Sequence, residues 1–265
     1  MTATLVLSDD AGPVRVLTMN RPAARNALSP ELIETLYGAL SEADDDSSVR
    51  AVVLTGADPA FCAGVDLKAA QRLGSAYFEQ FQNQSCIRRT AQMRKPIVGA
   101  INGAVFTGGL EMALGCDFLV ASERAVFADT HARVGILPGG GMTARLPQVV
   151  GAAMARRLSM TCEVVDAARA ERIGLVTEVV PHDQLLPRAI ELATMIAEVP
   201  APIMASLKEI YVTGSATITD PALAAEQAIA GAQTLDQAGL KDRYAEISER
   251  NRRQIRPQPQ ARSGL

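Results

Sequence analysis

The sequence has no tryptophan, and aromatic residues make up only 4% of its 265 positions. A platform that stacks nucleic-acid bases needs such rings, so their scarcity argues against that architecture. An excess of charge is missing as well: 26 basic residues stand against 29 acidic ones, for a net charge of −3. That balance argues against a basic surface for a phosphate backbone. It also disfavours RNA binding through the arginines of the tail with Arg88, Arg89, Arg94 and Lys95. Histidine occurs twice, at His131 and His182. The four cysteines, Cys62, Cys86, Cys116 and Cys162, contain no C-x-x-C pair. Neither a zinc ligand set nor a disulfide framework is encoded, and reduced thiols in a cytoplasmic protein are the expectation. No apolar run approaches the roughly 20 residues that span a bilayer. The longest, 97–105, is interrupted by Asn102 and Gly103. Residues 1–10 lack the basic start of a signal peptide and carry Asp9 and Asp10.

Several catalytic signatures are absent too. There is no phosphate-binding G-x-x-x-x-G-K-[ST] loop and no G-x-S-x-G nucleophile elbow. Gly139, Gly140, Gly141 and Ala144 imitate a dinucleotide fingerprint, but Pro138 rather than a buried strand leads into them.

What is present reads as α/β. Hydrophobic residues are 48% and charged residues 21%, the balance of an ordinary globular chain with a sizeable core. Residues 4–8 and 14–19 suggest a hairpin turned at 10–13. Ser29 caps a helix with Pro30 at its first position, running to about Ala43. Buried strands are expected over 49–55, 97–101 and 117–121, a polar helical stretch over 68–93, and a short helix over 109–114. The last third turns helical. Leu185, Leu186, Ala189, Ile190, Ala193, Ile196 and Ala197 keep helical spacing, and further helices are expected over 203–212, 221–236 and 239–254.

Two segments place glycine where a strand hands over to a helix: 61–68, with Gly64, and 102–111, with Gly108 and Gly109. A helix start leaves amides without partners and carries partial positive charge, and glycine lets a ligand approach that backbone. Two such points facing one cleft would bind a developing oxyanion; taken singly, each reads as a tight turn. Glu111 stands just beyond Gly108. It either completes a capping box, which requires Gly108 as the cap, or supplies a carboxylate for proton transfer. His131 sits between a short strand and the glycine run, flanked by Asp129 and Arg133. Unperturbed, it titrates near neutrality and would shape a pH profile there. His182, after Pro181, reads as structural.

In order and spacing, the segments 18–28, 61–68, 95–103, 108–111, 116–117, 135–146 and 174–176 resemble the crotonase family, the enoyl-CoA hydratase/isomerase superfamily. The resemblance implies an α/β spiral of ββα repeats over 1–200 and a helical C-terminal oligomerisation region over 201–265, assembled as a homotrimer or hexamer. It implies an acyl-CoA thioester substrate, with CoA arriving as part of the substrate and no separate cofactor or metal. The amides of Val65 and Gly108 match the family's oxyanion donors. Ala24, Arg25, Ala63, Asp66, Leu67 and Lys68 match positions near the CoA. Hydratases of the family place two glutamates around a water. Glu111 matches the first, whereas His131 stands where the second is expected. The reaction implied is hydration of an enoyl-CoA with Glu111 as base and His131 as proton relay. The alternatives are another crotonase reaction (isomerase, dehydratase, decarboxylase) or a non-catalytic acyl-CoA binder.

Overall fold

The computed structural model describes residues 4–83 and 85–233, together with Gly239, Arg243, Glu246, Ile247, Glu249 and Arg250. Apart from those positions, the expected helix over 239–254 and the basic tail lie outside the described residues.

The chain opens with β1 (Val6–Ala11) and β2 (Val14–Met19), antiparallel across a turn at Gly12 and Pro13. The first strand thus runs three residues further than its hydrophobic pattern suggests. Its outer positions are polar and exposed, as befits an edge strand. Helix α1 (Pro30–Asp45) starts at Ser29, whose side chain accepts the Leu32 amide at 3.3 Å. Leu32, Ile33, Leu36, Leu40 and Ala43 form its buried stripe.

Three ββα units follow. The first is β3 (Ala51–Gly56), β4 (Ala60–Cys62) and α2 (Leu67–Leu73), followed by α3 (Ser75–Asn83) and α4 (Cys86–Ala91). The second is β5 (Ile97–Ile101), β6 (Ala104–Phe106) and α5 (Gly108–Ala113). The third is β7 (Phe118–Ser122), β8 (Val126–Ala128) and α6 (His131–Val134). The first strand of each unit joins a large sheet and the second joins a small one. Completed by α7 (Met142–Val150), α8 (Ala152–Thr161), β9 (Val165–Asp166), α9 (Ala167–Arg172) and β10 (Glu178–Val180), the sheets run β1-β2-β3-β5-β7-β10 and β4-β6-β8-β9. From β2 onward the large sheet is parallel. In the small sheet β4, β6 and β8 are parallel and β9 is antiparallel. The chain therefore winds as a spiral in which each turn adds one strand to each sheet.

That winding positions the site. Because β6 lies between β4 and β8, the segments leaving these strands are stacked neighbours, and they carry Val65, Gly108 and His131. The large sheet is covered on both faces, as parallel strands require. Val52 and Leu54 of β3 face the main core, while Ala51 and Val53 face the other way. There they meet Leu185, Ala189 and Ala193 of α10 (Leu185–Glu198).

Helix α11 (Ala201–Gly231) is one continuous helix where two were expected. Pro202 lies in its first turn, where no donor is lost. Pro221 lies inside it and leaves the Thr217 carbonyl without its helical partner. Thr217 is exposed, so water takes that carbonyl and the helix runs on. Lys208 anchors α11 by donating to the Lys95 carbonyl at 2.7 Å and pairing with Asp117 at 2.9 Å. Elsewhere α11 exposes Ile203, Leu207, Ile210, Tyr211, Val212, Ile218 and Ile229. No single helix among the described residues is long and apolar enough to cross a membrane.

The basic cluster weighed for RNA is engaged otherwise. Arg89 and Arg94 pair with the buried Asp44 at 2.8 and 3.1 Å, and Lys95 donates to the carbonyls of Ala43 and Asp46. His182 bridges Ser122 and Asp58, at 3.0 Å from each, as a structural link.

Candidate active site

A cavity of 510 Å³ opens where the spiral's stacked turns meet the end of α11. This is the size of a small-molecule site. Val65, Gly108, Glu111 and His131 all line it, so residues from three separate segments of the chain share one space. Phe78, Phe81, Ile87, Ile136 and Leu137 provide its apolar wall.

The two glycine turns are pressed together. A Cβ on Gly64 would lie 2.7 Å from the Phe106 carbonyl oxygen and 3.4 Å from the Gly108 nitrogen. A Cβ on Gly109 would lie 2.4 Å from the Cys62 carbonyl oxygen. Only hydrogen fits at these contacts, which is why both turns carry glycine. Gly108 opens α5, so its amide has no helical acceptor. Among the described residues, neither it nor the Val65 amide donates to the backbone. Thr107, the cap residue before Gly108, has φ +52°, an outlier for a β-branched residue. Its hydroxyl meets that of Thr130 at 2.6 Å and its amide donates to the Ala128 carbonyl. The strained turn that aims the Gly108 amide is thus fixed from the next turn of the spiral.

With Thr107 as the cap, the capping-box reading of Glu111 fails, since that position falls on Leu110. The Glu111 side chain turns away from its own helix and is buried. Its Oε1 accepts the amides of Gly140 at 2.8 Å and Met142 at 3.3 Å. The glycine run that imitated a nucleotide loop is a cradle for this carboxylate. A Cβ on Gly140 would lie 2.8 Å from Oε2.

Oε2 faces His131, whose Nε2 is 3.6 Å away. On the other side of the ring, Nδ1 meets Asp129 Oδ1 at 2.7 Å, and the His131 amide donates to the same oxygen at 3.2 Å. Sequence spacing left the two flanking residues equal. The structure selects Asp129, buried against the ring, while Arg133 points outward. Asp129 fixes the tautomer: Nδ1 carries a proton toward the carboxylate, and Nε2 points into the cavity. Burial raises the Asp129 pKa, but the hydrogen bond and charge of His131 outweigh it, so the carboxylate lies below its ordinary value. Burial alone would depress the imidazolium. The charge of Glu111 and the hydrogen bond to Asp129 outweigh that and push the pKa of His131 up to about 10.

This corrects the expectation of titration near neutrality, and a measurable result follows. The folded pKa lies above the ordinary 6.5. The contribution of this imidazolium to stability is therefore complete below about pH 6.5 and is lost as pH rises toward about 10. In ¹⁵N spectra of the imidazole nitrogens, His131 stays doubly protonated at pH 8. A neutral His131 ring at that pH would contradict the geometry.

The positions matched to CoA contact gather beside the cavity but do not line it. Ala24 and Arg25 end a short turn, and the Ala63 amide donates to the Arg25 carbonyl at 3.0 Å. The Leu28 amide donates to the Gly64 carbonyl at 2.8 Å, so the two loops run side by side. Asp66 caps α2 by accepting the Ala69 amide and pairs with Arg21 at 3.1 Å. Leu67 and Lys68 begin that helix, and Arg25 and Lys68 are exposed. No group of three histidine, cysteine or acidic side chains among the described residues is placed to hold a metal ion.

Comparison with known proteins agrees with this geometry. The profile of the family described as Enoyl-CoA hydratase/isomerase matches residues 10–251. A probable enoyl-CoA hydratase of Rhizobium meliloti is 40% identical over 211 residues, 79% of this chain and 81% of the relative. A short-chain-enoyl-CoA hydratase of Clostridium acetobutylicum is 36% identical over 83% of this chain and 86% of its own. The crystal structure of an enoyl-CoA hydratase from Mycobacterium tuberculosis H37Rv superposes with a TM-score of 0.78 at 46% identity, covering 86% of this chain and 98% of that one. The spiral of ββα units and the ordered motifs along it thus have one common explanation: the chain belongs to the enoyl-CoA hydratase/isomerase family.

Proposed function

We propose that this site adds water across the α,β double bond of an enoyl-CoA thioester. One observation carries the reading: two amides that donate to no backbone carbonyl among the described residues, a carboxylate oxygen and an imidazole nitrogen face one cavity. By family and by the names of its relatives the chain is an enoyl-CoA hydratase-type hydro-lyase acting on acyl-CoA. In the proposed reaction the Val65 and Gly108 amides take the thioester oxygen, and their hydrogen bonds strengthen as it gains enolate charge. Glu111 Oε2 removes a proton from water as its oxygen bonds to the β-carbon. His131 Nε2 then donates a proton to the α-carbon. This leaves Glu111 protonated and His131 neutral. Oε2 and Nε2 lie 3.6 Å apart, so the proton returns through water in the cavity and resets both groups. CoA enters only as part of the substrate. The exposed Arg25 and Lys68, with Ala24, Ala63, Asp66 and Leu67 around them, border its path, where the two cations offset phosphate charge.

The apolar face of α11 supports a second element of the reading, an assembly of three copies or a pair of such trimers. A monomer rarely leaves that many large apolar side chains in water. Free thiols, three of them buried, fit a cytoplasmic setting. The test uses the full chain. With crotonyl-CoA, turnover follows the loss of enoyl absorbance, and sedimentation velocity returns a trimer or hexamer. Binding of several enoyl-CoA thioesters without turnover of any would make the protein an acyl-CoA binder. A monodisperse monomer would remove the assembly.

A further inference from the structure

The amides that open α7 are divided alternately between two buried carboxylates. Gly140 and Met142 donate to Glu111 Oε1. Gly141 donates to Glu226 Oε1 at 2.6 Å, and Thr143 donates to Glu226 Oε2 through its amide at 2.7 Å and its hydroxyl at 2.6 Å. Glu226 belongs to α11 and is only 6% exposed, yet it does not line the cavity. Its three hydrogen bonds all go to the strip of chain that holds Glu111.

The strip needs a clamp. Gly139, Gly140 and Gly141 have no side chains to pack, and Gly141 has φ +110°. A chain this permissive samples many conformations unless its amides are fixed. Peptide planes are rigid and consecutive ones share a Cα, so holding the Gly141 and Thr143 amides narrows the positions open to the Gly140 and Met142 amides that alternate with them. Those two amides occupy Oε1 of Glu111 and so determine where Oε2 points. Arg145 completes the arrangement: it donates to the Gly140 carbonyl at 2.8 Å, and its charge faces both Glu111 and Glu226.

We propose that Glu226 is a positioning residue for the catalytic base: it locks the start of α7 so that Glu111 Oε2 is aimed at the water. The proposal rests on the reading of Glu111 as base. It makes the seating of the Glu226 end of α11 against the start of α7, rather than the anchoring of the whole helix, a condition of turnover. A bland alternative gives Glu226 only the task of capping α7 and docking α11. That role lowers stability and leaves the chemistry of the folded protein alone.

The experiment measures kcat and KM for crotonyl-CoA, and Tm, on the full chain. The variants are Glu226→Ala, Glu226→Gln, Lys208→Met and Glu226→Ala combined with Glu111→Gln. Lys208→Met loosens α11 at its other anchor, far from the amides of α7, and should lower Tm with kcat unchanged. Glu226→Ala should lower kcat about 10- to 100-fold with KM within about threefold, the mark of an interaction that matters in the transition state. In the Glu111→Gln background it should cost nothing more, because residues acting as one unit are not additive. Glu226→Gln, which keeps one acceptor oxygen, should fall between Glu226→Ala and the parent, and it carries the comparison if the alanine variant does not fold. Parent-like kcat in the folded variants would overturn the proposal, as would an equal fold-loss in the Glu111→Gln background. A parent chain that turns over no enoyl-CoA removes the hydratase reading and this proposal with it. Active parent and unaffected Glu226 variants remove this proposal alone.

Discussion

Gly108→Pro loses at least about a hundredfold in kcat while the fold survives. Gly108 is the first residue of α5, a position where proline costs no intrahelical hydrogen bond. The substitution removes the donor without breaking the helix, and its ring also presses on Thr107, whose φ of +52° and ψ of −118° lie outside the extended region that a residue before proline prefers. In the proposed reaction that donor meets the oxygen that becomes an enolate, and loss of one oxyanion donor is worth about 10² to 10³ in rate. Gly108→Ala is the matched control. Its Cβ would meet Ile87 and Leu28 side chains at 3.4 Å, a contact that slight shifts absorb, and its amide stays in place. It should keep most of the activity. Val65→Pro repeats the test from the second donor. Near-parent kcat in a folded Gly108→Pro protein, confirmed by circular dichroism and Tm, would end the assignment of this amide.

The large elements of this fold were legible because they obey simple periodicities. Val52 and Leu54 alternate with Ala51 and Val53, and the two pairs take opposite faces of a covered sheet. The stripe of α10 follows from Leu185, Ala189 and Ala193. The small sheet was not legible. Its strands β4, β6 and β8 have three residues each, all short apolar runs that offer no period to read. Yet those strands stack the three segments that carry Val65, Gly108 and His131. The site was legible where local chemistry is unusual, at glycines opening a helix and at a histidine in the place of a glutamate. It was illegible where the partner comes from afar: Glu226 lies 85 residues from Gly141 along the chain. Asp129, two residues from His131, was visible as a neighbour, but only the fold separates it from Arg133.

Glu111→Gln costs roughly two to four orders of magnitude in kcat with little change in KM, because it removes the base without emptying its cradle. The amide oxygen of the substituted side chain still accepts from Gly140 and Met142, so the side chain stays in position, and an NH₂ replaces the oxygen that faces His131. His131→Gln costs less, because water can deliver the proton that the imidazolium supplies. It should also erase the alkaline limb of the rate profile set by a group with a pKa of about 10. Restoring the glutamate of the family pattern is not a simple repair here. His131→Glu alone sets a third carboxylate between Asp129 and Glu111, where His131 now contacts one at 2.7 Å and the other at 3.6 Å. Like charges at such distances force protonation or displacement. His131→Glu should therefore be slower than the parent, and adding Asp129→Asn should recover activity by removing the extra charge. Steady-state hydration of crotonyl-CoA across pH, for each folded variant, decides this. If His131→Glu matches the parent with Asp129 intact, Asp129 is not electrically coupled to the reacting pair. If His131→Gln keeps the parent's rate and pH profile, the imidazole takes no part in the chemistry and Glu111 acts without it.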